Sequence, residues 1–405
     1  MGTVLIGLQW GDEGKGKVCD YLSSEFDVVV RYQGGPNAGH TVIYDGKEIV
    51  LHHIPSGIFR ENVICVIGNG CVIDLELLYE EIENLEKLGI NIKGRLFISE
   101  RAHIILPYHK DEDGKMEKSL KIGTTLKGIG PAYMDKYGRS GLRMADLEDQ
   151  ERLKKILKIK TKNEKKMINY LSRYYDEFAH MIIDTVMLLN HFQNSGKKIL
   201  YEGAQGSMLD IDFGTYPYVT SSSPSIGGVL SGCGVPINSI DRVIGVMKPY
   251  TTRVGNGPLP TEIKTKVAKQ IRDKGNEYGA TTGRERRIGW LDIPQLKYAS
   301  LINGVNEIFI TKLDVLSGLD KINVGLRYLL DGEPLEGFPA NLSLFERIEV
   351  EYTEFLGWET LEGVDSYFKT PQELKTFVKF IQEQLLIPVK YISIGRERED
   401  VLIVN

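Results

Sequence analysis

The chain has 405 residues, of which 42% are hydrophobic and 26% charged, with a formal net charge of −5. This composition affords a sizeable core and excludes disorder, and the negative balance argues against a general nucleic-acid binder. Four cysteines, Cys19, Cys65, Cys71 and Cys233, lack metal-ligand spacing. With no signal peptide, transit peptide or membrane-spanning run, they point to a reducing, soluble, cytoplasmic setting.

Taken in order, residues 4–8 are an apolar run that predicts a buried first strand. Trp10-Gly11-Asp12-Glu13-Gly14-Lys15-Gly16-Lys17 follows, and residues 18–22 start a helix. Residues 28–32 predict a second strand, which runs into the glycine loop Gly34 to Thr41. Residues 41–44 and 47–52 flank Asp45-Gly46, a hairpin signal. Residues 63–67 predict another short strand. Residues 74–88 have helical periodicity, with Asp74 as N-cap and Gly89 as stop. Residues 96–98 read as strand, and 102–106 are apolar before Pro107.

Residues 121–133 are rich in glycine and hydroxyls, followed by Arg139 and Arg143. Residues 150–196 read as long helices. Their Lys-rich first part suits a solvated face better than a nucleic-acid patch, since no aromatic stripe is interleaved. A strand at 198–201 opens onto Glu202-Gly203-Ala204-Gln205-Gly206. A long polar loop then runs from Gly214 through Pro224 to Gly227-Gly228 and Gly232-Cys233-Gly234. Residues 243–247 predict a strand, 251–255 and 280–287 polar loops, and 308–310 a strand ending at Thr311-Lys312-Leu313-Asp314. A strand over 322–330, a helix near 371–386 and a strand over 389–394 complete the chain. No linker divides it, so the expected architecture is one large α/β domain over 1–405. It has a mostly parallel twisted central sheet, flanking helices, small antiparallel excursions and a helical excursion at about 150–196.

Strand, glycine loop, helix is the geometry of a phosphate cradle, with backbone N–H groups and a helix N-terminus facing an anion. Gly11 to Lys17 also fits G-x-x-x-x-G-K. The next position should be a hydroxyl that holds Mg²⁺, and it is Val18. A metal would need another oxygen, and the loop carries Asp12 and Glu13. An ordinary strand-to-helix turn is the plain alternative. Thr311-Lys312-Leu313-Asp314 resembles a guanine-reading motif, in which a carboxylate accepts from the base N1–H and amine; a surface turn is its alternative. Thr281-Thr282-Gly283-Arg284 with Arg286 combines hydroxyls and guanidiniums suited to carboxylates or phosphates. His40, in a Gly-rich turn, suits acid catalysis or charge stabilisation. So many polar loops at strand ends suggest several substrates in one cleft.

These stretches, together with Arg31-Tyr32-Gln33-Gly34-Gly35, Ile54-Pro55-Ser56-Gly57, Ile122-Gly123-Thr124-Thr125 and Gly214 to Ser222, resemble the adenylosuccinate synthetase family over nearly the whole length. The resemblance implies a homodimeric ligase that makes adenylosuccinate, GDP and phosphate from GTP, IMP and L-aspartate. It implies Asp12 as general base, His40 as donor to developing charge, and Mg²⁺ on the Asp12 carboxylate and the Gly39 carbonyl. It further implies Asp12, Lys15, Asn37, His40, Thr125, Gln205, Thr220 and Arg284 at IMP, with Arg139 arriving from the neighbouring subunit. GTP would meet Gly11, Glu13, Gly14, Gly16, Lys17, Gly39, Thr41, Arg286, Lys312, Asp314, Ser393 and Gly395. Aspartate would meet Thr281, Thr282, Gly283, Arg284 and Arg286, in a loop that closes over it.

Three features depart from the family pattern. The helical excursion is short, Glu285 stands where Pro or Arg is usual, and Gly-Arg-Glu-Arg follows Ser393-Ile394 in place of Gly-Pro-Asp-Arg. A GTP-binding switch or regulatory module is the alternative function, and a nucleic-acid binder through the Lys run at 154–166 a third.

Overall fold

The computed structural model describes residues 2–279 and 283–404. Thr281 and Thr282 lie outside the described residues. The chain divides into two compact units, each assembled from separate stretches: 1–4, 16–204 and 220–241 in the first, and 5–15, 205–219 and 242–405 in the second. The chain crosses from one unit to the other repeatedly, which is why no single linker shows in the sequence.

Among the described residues, each unit holds a run of mainly parallel strands. In the first unit they run Ile199–Glu202, Val28–Arg31, Ile64–Ile67, Leu96–Ser99, Ile182–Ile183, all parallel. In the second, Ile240–Met247, Glu307–Ile310 and Val389–Ser393 are parallel, with Val401–Ile403 antiparallel to the last. The strand Gly2–Gly7 is buried at every residue. Such strands are covered on both faces, so their sequences are continuous Val/Ile/Leu runs without alternation; Val28–Arg31 is buried throughout. Among the described residues a further sheet of five strands lies in the second unit, with Tyr250–Arg253 against Arg287–Asp292, and Lys321–Leu330 paired with both Glu333–Leu335 and Ile348–Leu356.

Local chemistry sets the element ends. Asp74 accepts from the Leu77 N–H and caps the helix Leu75–Lys87, and Gly89 takes φ +78° beyond its end. The hairpin His40–Tyr44/Lys47–Leu51 turns through Asp45 and Gly46 at φ +50° and +68°, the two left-handed residues that a type I′ turn demands.

The structure corrects several expectations. Residues 251–253 are not loop but part of the strand Tyr250–Arg253, buried on both faces. The glycines 227, 228 and 232 lie in a short helix, Gly227–Cys233, that ends at a left-handed Gly234. Helices Pro107–Leu120, Ile129–Tyr137, Lys266–Gly275 and Ile293–Asn303 and the strand Ile348–Leu356 were not anticipated. Residues 150–196 resolve into Gln150–Lys160, Glu164–Phe178 and Thr185–Asn194, with Ile182–Ile183 joining the sheet. All four cysteines are buried and unbridged, as apolar filling. Among the described residues no helix is long and apolar enough to cross a membrane.

Candidate active site

The strand Gly2–Gly7 delivers residues 8–14 to the helix Lys15–Leu22. Gly11, Asp12 and Gly14 all take positive φ, at +87°, +60° and +85°. Asp is among the few non-glycine residues that tolerate this region. Glu13 closes the loop from inside. Its buried carboxylate accepts the backbone N–H groups of Gln9 at 3.0 Å and Gly11 at 2.9 Å through Oε1, and Oε2 lies 2.5 Å from Lys15 Nζ. A Cβ on Gly7 would stand 2.4 Å from Glu13 Oε2, and one on Gly206 2.5 Å from Oε1 and 2.3 Å from the Gln9 carbonyl. These two glycines make room for a carboxylate that the sequence offered as a possible metal oxygen. Glu13 is consumed by the fold, and Asp12, with its side chain 35% exposed, is the loop carboxylate presented outward. Val18, at the position of a P-loop hydroxyl, is core.

Arg286 Nε lies 2.8 Å from Asp12 Oδ2, misaligned for a hydrogen bond, while Nη1 donates to Glu277 Oε2 at 2.6 Å. Glu277 Oε1 receives Lys248 Nζ at 3.0 Å, Lys312 Nζ at 2.8 Å and the Tyr250 hydroxyl at 2.7 Å. Burial works against the charge on Glu277, but Lys248, Lys312 and Arg286 outweigh it and hold the carboxyl well below its usual range. Burial also pushes the Lys248 ammonium down to about 8, against the pull of Glu277. Two carboxylates, Asp12 and Glu277, thus face three cations. The excess positive charge lies beside the phosphate loop, where polyphosphate would be drawn. Gln9 anchors the loop to this cluster, donating to the Lys248 and Tyr250 carbonyls and accepting the Lys248 N–H.

Lys312 sits at φ +56° and starts the 3₁₀ turn Leu313–Leu316, which carries Asp314. Asp314 lines a cavity of about 500 Å³ with Lys274, Ser317, Gly395 and Asp400. Ser393 ends the strand Val389–Ser393, and its hydroxyl donates to the Gly395 carbonyl at 3.2 Å. Gln205, at φ +55°, has a buried amide in which neither Oε1 nor Nε2 meets a hydrogen-bond partner. Such a group costs about 1–3 kcal/mol. Gly283 and Arg284 are exposed, with the Gly283 N–H bonded to the Gly279 carbonyl and the Gly279 N–H to that of Arg284.

In the first unit, Asn37 reaches Thr220 Oγ1 at 3.5 Å while its own Oδ1 is buried without a partner. His40 and Thr41 begin the strand His40–Tyr44, after the exposed Gly39. Gly16 packs on His40, since a Cβ there would lie 2.9 Å from His40 Cβ; Lys17 is half-buried one residue on. His40 Nδ1 is in short contact with the buried carboxylate of Glu202, which also accepts the Ser56 hydroxyl and N–H. Burial opposes the charge on Glu202, yet His40, Arg31 and Ser56 bring its pKa down to about 2. His53 is structural: its Nε2 accepts the Asp74 N–H.

Thr125 is exposed, in a loop pinned where Glu117 accepts the Gly123 and Thr124 N–H groups. Arg139 is exposed at φ +60°, on a turn tied back to the Asp135 carbonyl. Among the described residues, no group of three or more His, Cys, Asp and Glu side chains could hold a metal by itself.

In the sequence Glu202 stands out only as part of a motif, and Glu277, Lys248 and Tyr250 carry no spacing signal. The only hint was polar sequence, Lys248 to Thr252, directly after a strand.

A glycine loop between strand and helix, with one outward carboxylate and a cation cluster beside it, is the arrangement of a nucleotide-using phosphoryl-transfer enzyme. The comparisons agree. The sequence profile of the adenylosuccinate synthetase family matches residues 4–402. Adenylosuccinate synthetases from Chlorobium luteolum and Dictyostelium discoideum are 47% and 46% identical, covering 98% and 99% of this chain and 96% and 99% of their own. The structure of fully ligated adenylosuccinate synthetase from Plasmodium falciparum superposes with a TM-score of 0.94 at 39% identity, over 100% of this chain and 99% of that one. The chain belongs to the adenylosuccinate synthetase family, and is a GTP-dependent ligase of IMP and aspartate.

Proposed function

We propose that the ligation runs through a 6-phosphoryl-IMP intermediate built by these residues. The C6 oxygen of IMP is a poor leaving group. Asp12 takes the N1 proton, and the C6 oxygen attacks the γ-phosphorus of GTP, expelling GDP. His40 donates a hydrogen bond to the charge that develops during transfer. The amine of aspartate then attacks C6 and the 6-phosphate departs. The observation that carries this reading is the outward Asp12 carboxylate on a loop whose other carboxylate is internal.

Lys15, Asn37, Thr125, Gln205, Thr220 and Arg284 are assigned to IMP; the orphaned amide of Gln205 and Oδ1 of Asn37 support this. Gly11, Glu13, Gly14, Gly16, Lys17, Thr41, Arg286, Lys312, Asp314, Ser393 and Gly395 are assigned to GTP. Glu13 would serve through its backbone, its carboxylate being occupied. Thr281, Thr282, Gly283, Arg284 and Arg286 are assigned to aspartate.

The residues fit Mg²⁺, which keeps water and substrate phosphates as ligands and needs only one or two protein carboxylates. Asp12 and the carbonyl of the exposed Gly39 would hold it, and it would supply neutralisation of phosphate charge. A homodimer would bring Arg139 of one subunit to the IMP of the other. The helix Ile129–Tyr137, just before Arg139, leaves Met134 and Tyr137 61% and 74% exposed, an apolar face suited to a second copy.

The test is Asp12→Asn. Turnover should fall by a factor of about 10³ or more while GTP and IMP affinity stays within a few-fold. Near-normal turnover would remove Asp12 as the base.

A further inference from the structure

We propose that Glu202 is a positioning residue for His40, aiming the ring so that Nε2 meets the reacting oxygen. Two residues carry it that have no ligand assignment of their own, Ser56 of Ile54-Pro55-Ser56-Gly57 and Glu202 at the head of Glu202-Gly203-Ala204-Gln205-Gly206.

Glu202 ends the strand Ile199–Glu202 and is fully buried, as is Ser56; His40 is 6% exposed. A buried carboxylate is tolerated only when donors surround it. Here Oε2 accepts the Ser56 N–H at 2.8 Å, Oε1 accepts the Ser56 hydroxyl at 2.6 Å, and Oε1 also meets His40 Nδ1. Arg31, in register with Glu202 on the neighbouring strand, adds positive charge. The carboxylate is therefore fixed by Ser56 on one side and offered to the imidazole on the other.

The imidazole has little freedom. Gly16 packs against its Cβ, and Nδ1 is committed to Glu202. A carboxylate at one ring nitrogen sets the ring orientation and assigns the proton there. Whatever His40 gives to a ligand must come from Nε2. Ser56 prevents the carboxylate from rotating away, so the relay is Ser56 to Glu202 to His40.

The proposal rests on the His40 role given above, and the experiment separates the two. Steady-state kcat and KM for GTP, IMP and aspartate are measured for wild type, His40→Asn, Glu202→Gln and the double variant. Glu202→Gln should lower kcat roughly 10- to 100-fold with each KM within about threefold. The double variant should be no slower than His40→Asn by more than about threefold, because both changes remove one function. Losses that multiply, or a raised KM at unchanged kcat, overturn the proposal. Glu202→Gln at the wild-type rate beside a slow His40→Asn overturns the role of Glu202 alone. His40→Asn at the wild-type rate overturns the reading of His40 itself. If Glu202→Gln fails to fold, the same cycle is run with Ser56→Ala, expected to lower kcat roughly 3- to 10-fold. Multiplying losses in that cycle likewise overturn the proposal.

Discussion

At the residue scale, what separates function from structure here is where a carboxylate goes, not its presence in a motif. Asp12 and Glu13 are neighbours in one loop; one is presented outward and the other is locked to backbone N–H groups and Lys15. The buried Glu277 holds three cations, Lys248, Lys312 and Arg286. Replacing it by Gln leaves three cations without their common counter-charge. Unfolding in denaturant at pH 7 should show a loss of about 3–5 kcal/mol. The sign with pH follows from its depressed pKa: the contribution is present above the ordinary carboxylate range and disappears as pH falls through the folded value. The gap between Glu277→Gln and wild type should therefore narrow in strong acid. Asp12 and His40 stand out in the sequence as candidates, because a carboxylate among glycines and a histidine after a glycine loop have little structural use there. Glu277 and Glu202 were not, because a lone buried acid is defined by partners remote in sequence.

At the element scale, a glycine or cap can decide an entire loop. Ala at position 206 would bring a methyl within 2.5 Å of Glu13 Oε1 and within 2.3 Å of the Gln9 carbonyl. Gly206→Ala should therefore disrupt the phosphate loop, with turnover falling at least about 10²-fold, read by the standard assay. Asp292 caps the helix Ile293–Asn303 by accepting the Gln295 N–H, and receives the Tyr328 hydroxyl at 2.6 Å. Burial raises its pKa to about 7, against those two hydrogen bonds. A raised folded pKa favours the protonated form, so the contribution of Asp292 is full below the unfolded value and is lost as pH rises through about 7. Asn keeps the cap without the charge. Asp292→Asn should match wild type below about pH 4 and exceed it by roughly 2–4 kcal/mol at pH 8, measured by denaturant unfolding. Central strands were readable because burial on both faces demands unbroken apolar runs. Residues 251–253 read as loop because their hydroxyls and arginine are satisfied internally, as where Thr251 Oγ1 donates to the Trp290 carbonyl. Gly227–Cys233 was missed because glycine has poor intrinsic helix propensity and tertiary packing overrides it.

At the scale of the whole molecule, the fold class was visible in the sequence as strands closing on polar loops, while the two units were hidden by the interleaving of their segments. The proposed shared site makes a prediction about subunits. Asp12→Asn and Arg139→Leu should each be nearly inactive alone. Mixed and allowed to exchange, they should recover roughly a quarter of wild-type activity, because hybrid dimers hold one intact site; no recovery would place Arg139 within its own subunit's site. The guanine assignment predicts that Asp314→Asn lowers kcat/KM for GTP by a factor of about 10² or more. The most direct measurement follows the C6 oxygen. IMP labelled with ¹⁸O at C6 is converted with GTP, aspartate and Mg²⁺, and the released phosphate is analysed by mass. Phosphorylation of that oxygen predicts one ¹⁸O atom in each phosphate released. Unlabelled phosphate, with the label lost to water, would contradict it.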